Sequence, residues 1–251
     1  MKWKTKISVA EGEDRYIRGL LMRDLIERHS FVQVFFLLLR GRLPKASEEK
    51  MLNAMFVAVA EHGVEAPSAF VARSVASVGT SFSSAVAAGV LAIGEYHGGA
   101  IDKAAELYAA REKANMVIEK ARREKKRIPG LGHKVYKSED PRTAHLFRIA
   151  QRLKLYGTHV AYALTLQKEF VRVSGKSIAL NVDGALAALL LELGFDPKLG
   201  KAFFIFGRLP GLIAHIYEEI TEEEPYRRID EADVEYLGVP LKKPARGLRK
   251  K

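Results

Sequence analysis

The chain of 251 residues contains no cysteine. That excludes disulfides, thiolate metal sites and a cysteine nucleophile. Acidic residues are in deficit: 41 lysines and arginines face 30 aspartates and glutamates, a formal net charge of +11. No uninterrupted apolar run approaches the ~20 residues that span a bilayer. The first stretch, MKWKTKISVAEGEDRYIRG, is alternating and charged, unlike a signal or transit peptide. The histidines show no HxxxH or HExxH spacing, so no metal site is expected. Internal repeats, low-complexity tracts and linkers are also missing. What remains, 48% hydrophobic and 28% charged, is the balance of a soluble globular protein. The cytoplasm is the expected compartment, with no membrane partner.

The excess positive charge needs an anionic partner or a solvated location. Part of it sits in the basic tail 241–251, LKKPARGLRKK, which has little to bury and reads as a flexible end. Another part is REKKR, at the end of a long charged segment. Nucleic acid and a small anionic molecule both fit such a surface. Nucleic acid is the poorer fit, because aromatic and basic residues are not interleaved as a stacking platform requires.

Periodicity makes the chain all-α, with a small β-hairpin over TKISVAEGEDRYIRG that turns at EGED. Ser30 and Gln33 form a capping-box pattern ahead of Phe31, Val34, Phe35 and Leu38, and Gly41 and Pro44 stop that helix. Ser47 opens the next, toward His62. The small-residue run Ser83–Gly94 predicts a central, closely packed helix. Ile101–Lys126 reads as one long amphipathic helix ended by Pro129 and its glycines. Further helices are expected over Arg142–Leu155, Thr158–Val173, Gly184–Leu193 and Pro197–Ile220, the last broken or kinked at Pro210-Gly211.

Four segments combine polar chemistry with backbone constraint: EHG (61–63), YHGGA (96–100), IPGLGHKVYKSEDPR (128–142) and LNVDGALAALLLELG (180–194). In the third, the glycines let amides approach an anion, while Lys134, Lys137 and Arg142 can neutralise phosphate or carboxylate. It is no Walker loop, since the G-K-[ST] ending is missing; alone, it is as well read as a surface turn. His97 alone is a helix-end histidine. Asp183 is either the N-cap of the following helix or a partly desolvated acid with a raised pKa. Arg208 follows the apolar run FFIFG and needs an anion if buried. His29, His145, His159 and His215 read as packing or surface positions.

Together and in order, HGGA, PGLGHKVYKSEDPR, NVDGALAALLLELGF and FGRLPGLIAHIYEE resemble the citrate synthase superfamily, and YIRGLLMRDLIERHSFVQVFFLLLRGRLP resembles its N-terminal signature. Ordinary members are longer; the helical stretch between GRLP and HG is largely missing here. NVDG, GRLPGLIAH and PYRRIDEADVEY look closer to the citryl-CoA lyase module of ATP-citrate lyase, without its ATP-grasp and CoA-ligase parts. The resemblance implies a two-domain helical fold, with 1–98 and 188–251 as a shortened large domain and 99–187 as a small domain carrying a CoA loop.

It further implies cleavage of citryl-CoA to acetyl-CoA and oxaloacetate, with citrate or 2-methylcitrate synthesis as the alternative. His97 would bond the thioester carbonyl, Asp183 would move the proton on the acetyl methyl carbon, and His133 would serve the oxaloacetate carbonyl or citryl hydroxyl. His62, Arg142, Arg208 and Arg227, or its neighbour Arg228, match carboxylate-binding positions. The last of these comes from a neighbouring subunit in the family, which implies at least a homodimer. Pro129, Gly130, Leu131, Gly132 and Lys137 match the coenzyme A contact. A separate citryl-CoA synthetase would be the partner that supplies substrate. EAPS after His62, and Ile101 where the family usually has Asn, depart from the pattern.

Overall fold

A computed structural model describes residues 2–240; the basic tail 241–251 lies outside the described residues. The chain opens with antiparallel strands β1 (Ser8–Glu11), β2 (Asp14–Ile17) and β3 (Leu20–Leu21), paired in that order. The expected hairpin is present and gains a third short strand. The regular elements described after it are helices, as the periodicity requires: α1 (Met22–Arg28), α2 (Phe31–Arg40), α3 (Ala46–Val57), α4 (Pro67–Ala76), α5 (Phe82–Leu91), α6 (Ala100–Ala110), α7 (Ala114–Arg123), α8 (Pro141–Arg152), α9 (Thr158–Ser174), α10 (Val182–Glu192) and α11 (Gly200–Glu222). Helices α1 and α4 were not anticipated.

Local chemistry accounts for the helix ends. Ser30 Oγ accepts the Gln33 amide at 3.2 Å while Gln33 Oε1 accepts the Ser30 amide at 3.2 Å, so the capping box at α2 forms. Gly41 closes the same helix in the left-handed region, φ +73°, its amide bonded to Leu37.

Helix α10 is the centre of the larger core. Ala185 through Leu190 are at most 2% exposed, and α6, α8, α9 and α11 pack around them. An eleven-residue helix buried on every side has no polar face to spend, which explains its composition. A smaller alanine-rich cluster, including Ala69, Ala72, Ala85, Leu212 and Ile216, joins α4, α5 and α11.

Three expectations need correction. The single helix over 101–126 is two: Arg111 adopts φ +49° and ends α6, and Tyr162 of α9 donates to the Glu112 carbonyl at 2.6 Å in the corner. The break lets Val117 and Ile118 turn onto α9. The small-residue helix α5 is not central. Its Gly89 does lie close to α4, where a Cβ would sit 3.0 Å from the Ala72 Cβ. Its other face is open, with Leu91 84% exposed. Finally, of the break or kink expected at Pro210-Gly211, the break does not occur: α11 is continuous from Gly200 to Glu222. Gly207 and Gly211 pack so tightly on the end of α3, against Val59 and Ala60, that neighbouring structure holds the helix together despite the lost bond.

Candidate active site

The site is assembled from loop and helix-terminal residues around α10. Asn181, rather than Asp183, caps that helix: its Oδ1 accepts the Gly184 amide at 3.0 Å. Asp183 therefore lies in the first turn with its carboxyl free of capping duty, which removes the bland reading of that residue. Burial, aided by the charge of Asp140, pushes Asp183 up to about 6, against the opposing pull of Arg142 and Arg208.

The loop 128–140 lies against the same helix. Gly130 and Gly132 take φ +83° and +98°, and a Cβ on Gly130 would come within 2.8 Å of the Gly184 Cα. Only glycine permits both the chain reversal and that approach. The Asn181 amide donates to the Gly130 carbonyl at 3.0 Å and the Gly132 amide to Ala179 at 2.7 Å; Leu131 forms a bridge with Leu180. The Leu131 amide is also used, by Ile128. These glycines thus serve packing, and the Leu131 and Gly132 amides are not free to cradle an anion. Pro129 is half-buried beside them, and Lys137 is exposed.

His133 Nδ1 accepts the amides of Val135 and Tyr136 at 3.1 and 3.2 Å. In the neutral ring this puts the proton on Nε2. That nitrogen lies 3.3 Å from Arg142 Nη2, so two donors face one space. Arg142 also approaches His62 Nδ1 at 3.1 Å through Nη1. His62 thus joins His133 and Arg142, some seventy to eighty residues further along, at a spot suited to an oxygen ligand. Burial lowers the pKa of His133 and of His62, and the nearby arginine charge lowers both further, so these rings are neutral.

His97 follows α5 and its Nε2 meets Ser68 Oγ, in the first turn of α4, at 2.8 Å. Its ring packs edge-on against Phe204. Burial and the Arg208 charge keep it neutral as well. Arg208, in the middle of α11, is 2% exposed, and neither its Nε nor its Nη1 has a partner among the described residues. Its guanidinium lies over the Phe204 ring at 5.2 Å. The nearby carboxylates of Glu61 and Asp183 offset its burial only in part, so its pKa is lowered and an anionic ligand would complete it.

The structure links these residues through their charges: His62 feels Arg142, Arg208 and His133, His97 feels Arg208 and His62, and Asp183 feels both arginines. It does not bring Arg227 there within one chain. That side chain pairs with Glu219 at 2.8 Å and Glu223 at 3.0 Å, and Arg228 is exposed. Residues missed from sequence are Ser68, Asp140 and the pair of Glu61 with His215 at 3.0 Å, which supports the His62 loop from α11. Asp140 had a readable signal, an acid followed by proline at a helix start. Ser68 lies in EAPS, the stretch that departs from the family pattern.

An all-helical fold with this histidine, aspartate and arginine cluster defines the class: the chain belongs to the citrate synthase family, and residues 44–229 match the family described as citrate synthase, C-terminal domain. Within that class it is similar to a structure of citryl-CoA lyase from Hydrogenobacter thermophilus, 46% identical, covering 97% of each chain at a TM-score of 0.91. It also resembles ATP citrate lyase from Methanothrix soehngenii in complex with citrate and coenzyme A, 25% identical, over 96% of this chain and 42% of that one, TM-score 0.84. Citrate synthase 2 of Bacillus subtilis is 30% identical over 82% of this chain and 56% of its own length. The chain spans little more than half the length of the curated relatives it matches.

Proposed function

We propose that the protein cleaves citryl-CoA to acetyl-CoA and oxaloacetate. The observation that carries this reading is the convergence of a raised-pKa carboxyl, Asp183, with neutral His97 and His133 and the unpartnered Arg208. Similarity over the whole length of the Hydrogenobacter thermophilus citryl-CoA lyase favours cleavage over synthesis.

Breaking a carbon–carbon bond alpha to a thioester needs an electron sink and a proton donor. The tertiary hydroxyl of the citryl group loses its proton to solvent as His133 Nε2–H and Arg142 stabilise the alkoxide. The alkoxide closes to the ketone of oxaloacetate, and the bond electrons pass into the thioester as an enolate. His97 donates a hydrogen bond to the enolate oxygen. Asp183, whose raised pKa of about 6 keeps a protonated fraction available near neutral pH, delivers its proton to the methylene carbon, giving acetyl-CoA. The proton count balances: one leaves the hydroxyl and one arrives on carbon. Arg142, Arg208 and His62 hold the carboxylates, for which a guanidinium fork is best suited.

Coenzyme A would lie along Pro129–Gly132, with Lys137 toward a phosphate. Closure of a small unit, 99–187, over a large one, 1–98 with 188–251, would shield the enolate from bulk solvent once the hydroxyl proton has left. A homodimer is part of the proposal. Phe70, Phe82, Leu91 and Tyr217 leave 41–84% of their surface uncovered on α4, α5 and α11. Arg227, still 36% exposed at its side chain, would serve a neighbouring subunit's site.

The test supplies citryl-CoA and follows oxaloacetate with malate dehydrogenase and free CoA with a thiol reagent. Oxaloacetate without free CoA is the expected result. Rapid CoA release from acetyl-CoA plus oxaloacetate would instead make the protein a compact citrate or 2-methylcitrate synthase.

A further inference from the structure

Asp140 is fully buried, at 0% exposure, and has no contact of its own with the spot where a substrate oxygen would lie. Both its oxygens are filled. Oδ1 accepts the Arg142 amide and Arg142 Nε, each at 3.0 Å; Oδ2 accepts Arg142 Nη2 at 2.8 Å and the Val182 amide at 3.2 Å. One carboxylate therefore caps α8, grips the guanidinium of Arg142 in a two-point fork, and reaches the first residue of α10, next to Asp183.

The grip has a directional consequence. A guanidinium carries five N–H donors in a plane. Asp140 takes Nε and one hydrogen of Nη2, which fixes the plane and leaves three hydrogens on the opposite side. Those remaining edges face His62 and His133. A helix cap alone needs neither the second oxygen nor the charge, since serine or asparagine caps as well.

We propose that Asp140 is a positioning residue: it sets the plane of Arg142 toward the carboxylate end of the substrate and ties that plane to the helix start that carries Asp183. This rests on the citryl-CoA reading of the site, and the experiment separates the two. Wild-type protein is first assayed on citryl-CoA; inactivity there rejects the reading itself. Asp140→Asn and Asp140→Ser, which keep a capping side chain, are then compared with wild type for binding of oxaloacetate and of coenzyme A by calorimetry.

The expected result is an oxaloacetate affinity on the order of tenfold to hundredfold weaker, with coenzyme A affinity within about twofold, the error of an additive cycle. A purely structural role would weaken both alike. In the Arg142→Ala background, either Asp140 substitution should add less than about a further twofold, because the two residues act as a unit. Additive losses, or normal oxaloacetate binding by a folded Asp140 variant, overturn the proposal. Should neither variant fold, Arg142→Lys decides. It keeps the charge but not the fork, so a loss as large as that of Arg142→Ala sustains the proposal, and wild-type binding overturns it.

Discussion

Two arginines on the interior of this molecule have opposite surroundings. Arg73, 5% exposed, has every guanidinium nitrogen matched: Nε to Glu219 at 2.6 Å, Nη1 to Glu218 at 3.2 Å and Nη2 to Glu223 at 3.0 Å. Arg208, 2% exposed on the helix that carries Glu218 and Glu219, has two nitrogens without a partner among the described residues. Burial lowers its pKa, the mark of a charge that the protein does not fully compensate. The first is a completed structural network that ties α4, α11 and the following segment together. The second, on the proposed function, is half of an interaction whose other half is an anionic ligand. Burial by itself does not separate them; the state of their hydrogen bonds does.

The sharpest break of this comparison is at the anionic counterpart, Asp183. Asp183→Asn should cut citryl-CoA turnover by about 10³-fold or more, as expected for the loss of a proton-transferring group. The same change should stabilise the fold. The folded carboxyl titrates at about 6 against an ordinary 3.8. The folded state thus binds a proton more tightly than the unfolded chain, and wild-type stability falls as pH rises from about 4 to about 6. Above that window the penalty is about 3 kcal/mol. Urea denaturation should find the variant more stable at pH 7 by a sizeable part of that amount, and equal to wild type near pH 4. Equal stability at both pH values would refute the burial of that charge.

The two arginines should respond in opposite directions. Arg73→Met leaves Glu219 without its closest partner and should cost about 3 kcal/mol of stability, as the loss of one member of a buried ion pair does. Activity per folded molecule should be retained. Arg208→Met removes an uncompensated charge, so stability should hold or rise by about 1 kcal/mol, while oxaloacetate binding weakens about a hundredfold. Matching losses of stability in both variants would erase the distinction. Saturating citrate or oxaloacetate sharpens it: at about a hundredfold above Kd, a ligand stabilises the protein by about 2.7 kcal/mol. Thermal melts should show that shift in wild type and in Arg73→Met, and little in Arg208→Met.

Much of this was readable in the chain before any coordinates. The capping box at Ser30, the central apolar helix after Asp183 and the glycine loop before His133 each follow from local rules, because each is decided by neighbours in sequence. Arg208 was legible as a cation in an apolar run. The misses share a cause. The turn at Arg111 has no glycine or proline to announce it; the fit of α7 on α9 makes it. Helix α5 has the composition of a central helix but faces open surface on one side. Asp140 carried a cap signal, yet nothing in the spacing tells that its second oxygen reaches α10, 42 residues away. Ser68 is the partner of His97 from 29 residues away. Long-range pairing is the part a one-dimensional reading does not contain.

A third buried polar group tests how far the argument about missing partners extends. Tyr108 is 0% exposed, its hydroxyl has no partner among the described residues, and burial pushes its pKa well up, so it stays neutral. It lies under the Gly130 backbone, where a Cβ would strike the hydroxyl. A neutral hydroxyl costs far less to leave unpaired than a guanidinium, about 1–3 kcal/mol at most. It also has no charge with which to hold an anion. Tyr108→Phe removes the unpaired oxygen and keeps the ring that packs on Tyr162. Stability should therefore stay level or rise by about 1 kcal/mol, with kcat and KM unchanged. The expected effect is small, and its sign is the informative part. A loss of stability would mean that the hydroxyl finds a partner in solution. A loss of activity would mean that it serves the glycine loop or Asp183 above it, and an unpaired buried group would then mark function even without charge.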